Sequence, residues 1–145
     1  MSARSGGMKE RVVVSPGTVF QDVAMGTGLP NIITASSSAS ASTFGTPVAV
    51  DASLAVDAGL CNISIASDDG NLVTGQYIAI EITDDGTAVF RYSFVYHTID
   101  NVNFSRDITI SKPIKIASGS AVAVKMSDTV AAAVTYEIGV SFKGV

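Results

Sequence analysis

The sequence has one cysteine, one histidine and no tryptophan, and charged residues fill only 15% of its 145 positions, against about 25% in a typical soluble domain. A single thiol excludes an intrachain disulfide framework and any zinc site built on several thiolates. A histidine-based metal site or a Ser-His-Asp triad would rest entirely on His97. Nine Lys and Arg against thirteen Asp and Glu give a net charge of −4. That balance offers no electrostatic grip on a phosphate backbone or an anionic membrane, so neither nucleic acid nor membrane is expected as a partner. No run reaches the eighteen or so apolar residues of a membrane helix. Val12–Val14, which follows Arg4, Lys9 and Arg11, is far short of a signal-peptide core, so the expectation is a chain made in the cytoplasm and not exported.

Apolar residues nevertheless make up 47% of the chain, and from Pro47 onward they recur with period two. Ile78, Ile80 and Ile82 alternate with Tyr77, Ala79 and Glu81; Phe90, Tyr92, Phe94 and Tyr96 alternate with Val89, Arg91, Ser93, Val95 and His97. Val122, Val124 and Met126 share one side of the next run, with Lys125 on the other, and Val134, Tyr136, Ile138, Val140 and Phe142 share one side of the last. Successive strand side chains point to opposite faces, so such alternation marks half-buried strands. Asp68-Asp69-Gly70-Asn71 and Asp84-Asp85-Gly86 read as tight hairpin turns, and Ser118-Gly119-Ser120 as a third break. No segment sustains a helical period. The chain is predicted to be all-β, an antiparallel β-sandwich or barrel.

Residues 1–10 read as a flexible N-terminal arm and residues 11–145 as a single β domain, with strands expected at Val12–Val14 and Thr18–Ala24 around Ser15-Pro16-Gly17. Val23 to Val50 holds no charged residue, and its centre, the Ser/Ala-rich stretch 34–43, reads as a long loop, either a flexible linker or a segment shielded by another subunit. Arg4, Lys9 and Arg11 gather three of the nine basic residues at one end and are the candidate partner-contact residues.

Chemistry-bearing residues are few. His97 follows four alternating aromatics and is expected at a strand end. Cys61 is read as a small buried hydrophobe in phase with Ile63 and Ile65, because no nearby base would activate it. Asp68, Asp69 and Asn71, or Asp84 and Asp85, could offer oxygens to calcium, but neither set has the spacing of a calcium loop and turn chemistry accounts for both. Asn62-Ile63-Ser64 and Asn103-Phe104-Ser105 are sequons that would go unmodified in a chain that is not exported. Tyr77, Tyr92, Tyr96 and Tyr136 could stack on a sugar, but at strand spacing they are expected to pack across strands. No catalytic residue, metal or cofactor is expected. Apolar residues on both faces of Val89–His97, and an uncharged Thr129–Tyr136, call for cover on both sides, which points to an obligate oligomer.

Residues 108–126, in which a Pro113-led strand runs to the Gly119-Ser120 turn and then to an alternating strand carrying Lys125, followed by a β-rich terminal strand at Val134–Lys143, resemble the closing strands of small jelly-roll proteins in tailed-bacteriophage virions. The resemblance spans residues 60–143 and brings no catalytic residues. It implies a jelly-roll-like sandwich in a virion structural protein. The type implied is a capsid decoration (cement) protein that binds the major capsid protein, or another virion protein, as a homo-oligomer and specifically a trimer. The alternatives are a tail or collar adaptor or fibre module, and a host- or carbohydrate-binding β-sandwich.

Overall fold

Strands form where the alternation runs. In a computed structural model that describes residues 32–97 and 104–144, they are β1 (Ile32–Ser36), β2 (Val48–Asp51), β3 (Ala58–Ser67), β4 (Tyr77–Asp84), β5 (Thr87–Val95), β6 (Phe104–Ile116), β7 (Val122–Asp128) and β8 (Thr135–Lys143). They make two antiparallel four-stranded sheets, ordered β1-β8-β3-β6 and β2-β7-β4-β5. The chain changes sheet at almost every step. Among the described strands only β4 and β5 are sequence neighbours that also pair, through a turn in which Asp85 and Gly86 both take positive φ, the geometry of a two-residue hairpin. The strand order is that of a jelly roll: two sheets face to face, with the first described strand beside the last. The Val12–Val14 and Thr18–Ala24 strands, the arm boundary at residue 10, and Arg4, Lys9 and Arg11 lie outside the described residues.

The predicted inner faces meet in the core. Ile78, Ile80, Ile82, Val122, Val124 and Met126 of one sheet pack towards Leu60, Ile63, Ile65, Tyr136, Ile138 and Phe142 of the other, and all are fully buried. Each such side chain contributes about 1.5–3 kcal/mol by leaving water, so the alternation itself is the main driving force for closing the sandwich. No helix among the described residues is long and apolar enough to cross a membrane.

Five local expectations are corrected. Asp68–Asn71 is not a hairpin: β3 and β4 belong to different sheets, so the turn carries the chain from one layer to the other. Cys61 is out of phase with Ile63 and Ile65. The register of β3 slips between Leu60 and Asn62 against both of its neighbours, so Leu60 and Ile63, three apart, both face the core and half-buried Cys61 sits at the bulge. Pro113 does not lead a strand but lies inside β6, at an irregularity where residues 110–113 stand opposite Cys61 alone. An edge strand tolerates this, because no neighbour asks for the missing N–H. Thr129–Val134 is a connection between sheets and not part of a strand.

The stretch 34–43 also departs from the expected loop. Thr34, Ala35 and Ser36 belong to β1 and pair with β8. The remainder is no free linker. Ser37 is buried and gives its N–H to the Val134 carbonyl, while the N–H groups of Ser42 and Gly45 bond the Asp128 and Met126 carbonyls of β7. Small side chains let the segment run close to its own sheets. Closest of all is Gly45, where a Cβ would stand 2.0 Å from the Ser36 carbonyl oxygen. Gly45→Ala is therefore expected to cost about 2 kcal/mol, within the range of overpacking, read as a lower urea midpoint with an unchanged slope.

Candidate functional site

The outer face of the β2-β7-β4-β5 sheet carries the strongest electrostatic feature among the described residues. Register places Glu81 of β4 between Arg91 of β5 and Lys125 of β7. Its carboxylate accepts from Arg91 Nε and lies 2.7 Å from Lys125 Nζ. Although Glu81 faces outward, it is only 2% exposed, whereas the Lys125 and Arg91 side chains are 26% and 68% exposed. The cover comes from the 37–47 segment: the Phe44 ring lies 5.4 Å from the Lys125 ammonium and 5.8 Å from the Arg91 guanidinium. The segment is thus held to the sheet by two cations that themselves hold Glu81. The hydrogen bond from Lys125, then that from Arg91, keeps the Glu81 carboxyl below its ordinary value against the opposing effect of burial. Two shallow depressions flank Phe44 over a floor that includes Ala79, with Ser93 on one side and Ser127 on the other.

A second polar group is closed inside the sandwich at one end. The Tyr136 hydroxyl donates to Asp128 Oδ2 at 2.7 Å and accepts from Gln76 Nε2 at 3.3 Å. Asp128 Oδ1 accepts the Val130 N–H at 3.1 Å, and Gln76 Oε1 accepts the Val73 N–H at 2.6 Å. All three side chains are buried. Burial, and then the Asp128 carboxylate, push the Tyr136 hydroxyl far above its ordinary pKa. The group ties the end of β7 to β8 and to the turn before β4, so it locks the two sheets at that end.

The turn acids act on the backbone. Asp69 accepts the N–H groups of Asn71 and Thr135, and these bonds lower its carboxyl pKa; Asp85 accepts the Ala121 N–H, and Asp57 that of Ser118. Each carboxylate therefore satisfies donors at the ends of strands. Among the described residues no group of three or more His, Cys, Asp and Glu could hold a metal ion.

His97 is exposed just beyond β5, in a depression it shares with Tyr96, Phe104, Ser105 and Arg106. Tyr92, Phe94, Tyr96, Phe104 and Tyr136 form a chain of ring contacts 5.1–6.4 Å apart, and Arg106 caps it 4.5 Å from the Phe94 ring. Tyr92, Tyr96 and Tyr136 are thus packing residues, while Tyr77 stands exposed on the outer face. The Cys61 thiol donates to the Ser141 carbonyl at 3.4 Å, and burial pushes its pKa up against the charge of Lys143. Less thiolate means slower reaction. In the folded protein, Cys61 is expected to react with a thiol probe at pH 8 several-fold more slowly than a free cysteine. Cys61→Ala is expected to cost about 1 kcal/mol in urea unfolding.

Neither buried group was named as a site from the sequence. Glu81 and Lys125 each stood on the polar side of an alternating run, but register alone brings them together across β4 and β7. Asp128 closes a strand, where a carboxylate ordinarily meets water. No protein-family model matches this chain, and no curated protein matches it.

Proposed function

We propose that this chain is a virion structural protein of a tailed bacteriophage, a capsid decoration (cement) protein that binds the outer capsid as a homo-oligomer. The observation that supports it most is the jelly roll itself, with strands in the order β1-β8-β3-β6 and β2-β7-β4-β5, because the resemblance of residues 60–143 implies that architecture. Chemistry adds support. The Glu81 and Asp128 groups spend their charges on holding strands together, as suits a domain whose task is to stay folded while lending surface. A standard interface takes about 800 Å² from each partner, and this chain has 6968 Å² of accessible surface. Contacts with two sister subunits and one coat surface fit within that area. The trimer belongs to the resemblance.

Arg4, Lys9 and Arg11 are proposed to contact an acidic surface of the coat or of a sister subunit. Deleting residues 2–9 is expected to leave the melting temperature within about 1 °C, since their sequence holds no apolar alternation of the kind that builds the core. The deletion should also weaken co-sedimentation with particles, most at low salt. Equal binding by the truncated and full chains at every salt concentration would remove these residues from the interface.

A further inference from the structure

Four sheet edges are open among the described residues: β1 and β6 bound one sheet, β2 and β5 the other. Open edges invite pairing with other chains, and proteins blunt them with proline, charge, bulges or shortness. β6 carries exposed Lys112 and half-buried Pro113 at its irregularity. β2 has four residues, follows Pro47 and slips register between Ala49 and Asp51. β1 and β5 contain no proline and are the less protected edges. β5 is nine residues long with Arg91 as its one charge, and its register shift lies near its start; β1 has no charge and opens on Ile32, which is 69% exposed.

The direction of the backbone groups follows from the ladders. Tyr96 gives its N–H to the Gln76 carbonyl and accepts that of Gly75, so alternation turns the N–H groups of Phe94 and Tyr92 towards β4 and those of Ser93 and Arg91 towards the open edge. Ser37 gives its N–H to Val134, so Ala35 and Ile33 face β8, and Thr34 and Ile32 face outward. Beside β1 runs a groove of about 510 Å³ between Thr34 and Ser36 on one side and Phe44, Thr46 and Val48 on the other; Gly45 closes it at Ser36.

We propose that β5 of one copy pairs along its open edge with β1 of a second copy, so that a sheet of one subunit continues into the next. The proposal rests on the homo-oligomeric part of the function proposed above. Charge selects this pairing. Glu137 of β8 is exposed beside Thr34, and strands lie about 4.8 Å apart. Arg91 set against Thr34 therefore comes within about 10 Å, α-carbon to α-carbon, of Glu137, a span the two side chains close together. The guanidinium holds Glu81 through Nε and has two further nitrogens for a second carboxylate. Pairing β5 with a second β5 would instead bring two arginines together, since Arg91 is the central residue of its strand. A contact between two different edges is head-to-tail, and repeated, it makes a ring where the rotation between copies closes and an open filament where it does not.

The test uses the full-length chain and light scattering. Ser93→Pro and Thr34→Pro each remove one outward N–H without touching a ladder within the subunit. Each variant is expected to keep the wild-type circular dichroism and a cooperative melt, but to scatter as a monomer where the wild type is oligomeric. Mixing the two should yield a dimer, because one keeps an intact β1 edge and the other an intact β5 edge. Glu137→Lys, an exposed change that leaves folding alone, is expected to raise the dissociation constant at least tenfold. Variants that retain the wild-type oligomer mass, a mixture that stays monomeric, or an indifferent Glu137→Lys would overturn the pairing and leave the oligomeric reading standing. A monomeric wild type would overturn both.

Discussion

Replacing Asp128 with Ala is expected to lower the free energy of unfolding by about 3 kcal/mol, at the upper end for a buried, charge-assisted hydrogen-bond partner. The carboxylate is 3% exposed and accepts from both the Tyr136 hydroxyl and the Val130 N–H. Without it the Tyr136 proton has no acceptor in a fully buried site, since Gln76 presents its amide nitrogen there. Asp128→Asn keeps an acceptor oxygen and should cost less. Tyr136→Phe in the Asp128→Ala background should cost less than in the wild type, because the orphaned hydroxyl goes with it; the double-mutant cycle reads that coupling. The same group governs alkaline stability. The folded-state pKa of Tyr136 is raised above its ordinary value of 10.0. Its contribution is therefore complete below pH 10 and is lost as pH climbs from there towards the folded-state value. Ultraviolet titration should show one tyrosine that ionises only as the fold is lost.

Glu81→Ala is expected to cost a similar amount, about 3 kcal/mol, the lower end for removing one partner of a buried ion pair. The lower end applies because Arg91 can rehydrate once released, whereas Lys125 is largely enclosed under Phe44. For the same reason Lys125→Ala should destabilise more than Arg91→Ala. Burial raises the Glu81 pKa and its two partners lower it further. With the folded-state pKa below the unfolded one, the stabilisation is present above about pH 4.5 and disappears as pH falls through the folded-state value. Acid unfolding of the wild type should therefore be steeper below pH 4.5 than that of Glu81→Gln, with midpoints read from urea titrations at each pH.

These two groups mark the limit of what could be read from residues alone. Alternation identified the core because burial acts on each strand separately: Ile78 and Phe142 need only be apolar on the inward side of their own runs. The partners of Glu81 and Asp128 depend on register and on which sheet each strand joins, and no local pattern encodes either. The jelly-roll order came from resemblance, since Asp68–Asn71 and Asp84–Gly86 look alike as turns although one crosses between layers and the other makes a hairpin. Cys61 was placed in the wrong phase because a bulge leaves no mark in the composition of its strand. Thr34–Ser36 was hidden in a low-complexity run, where threonine and serine suit an edge strand as well as a loop.

Attachment to the capsid is decided by electron microscopy of purified particles with and without this protein. A decoration protein gives discrete density on the outer shell in the first sample, at repeated positions over several coat subunits, and none in the second. Density confined to the tail or collar, or no difference between the two shells, would contradict it.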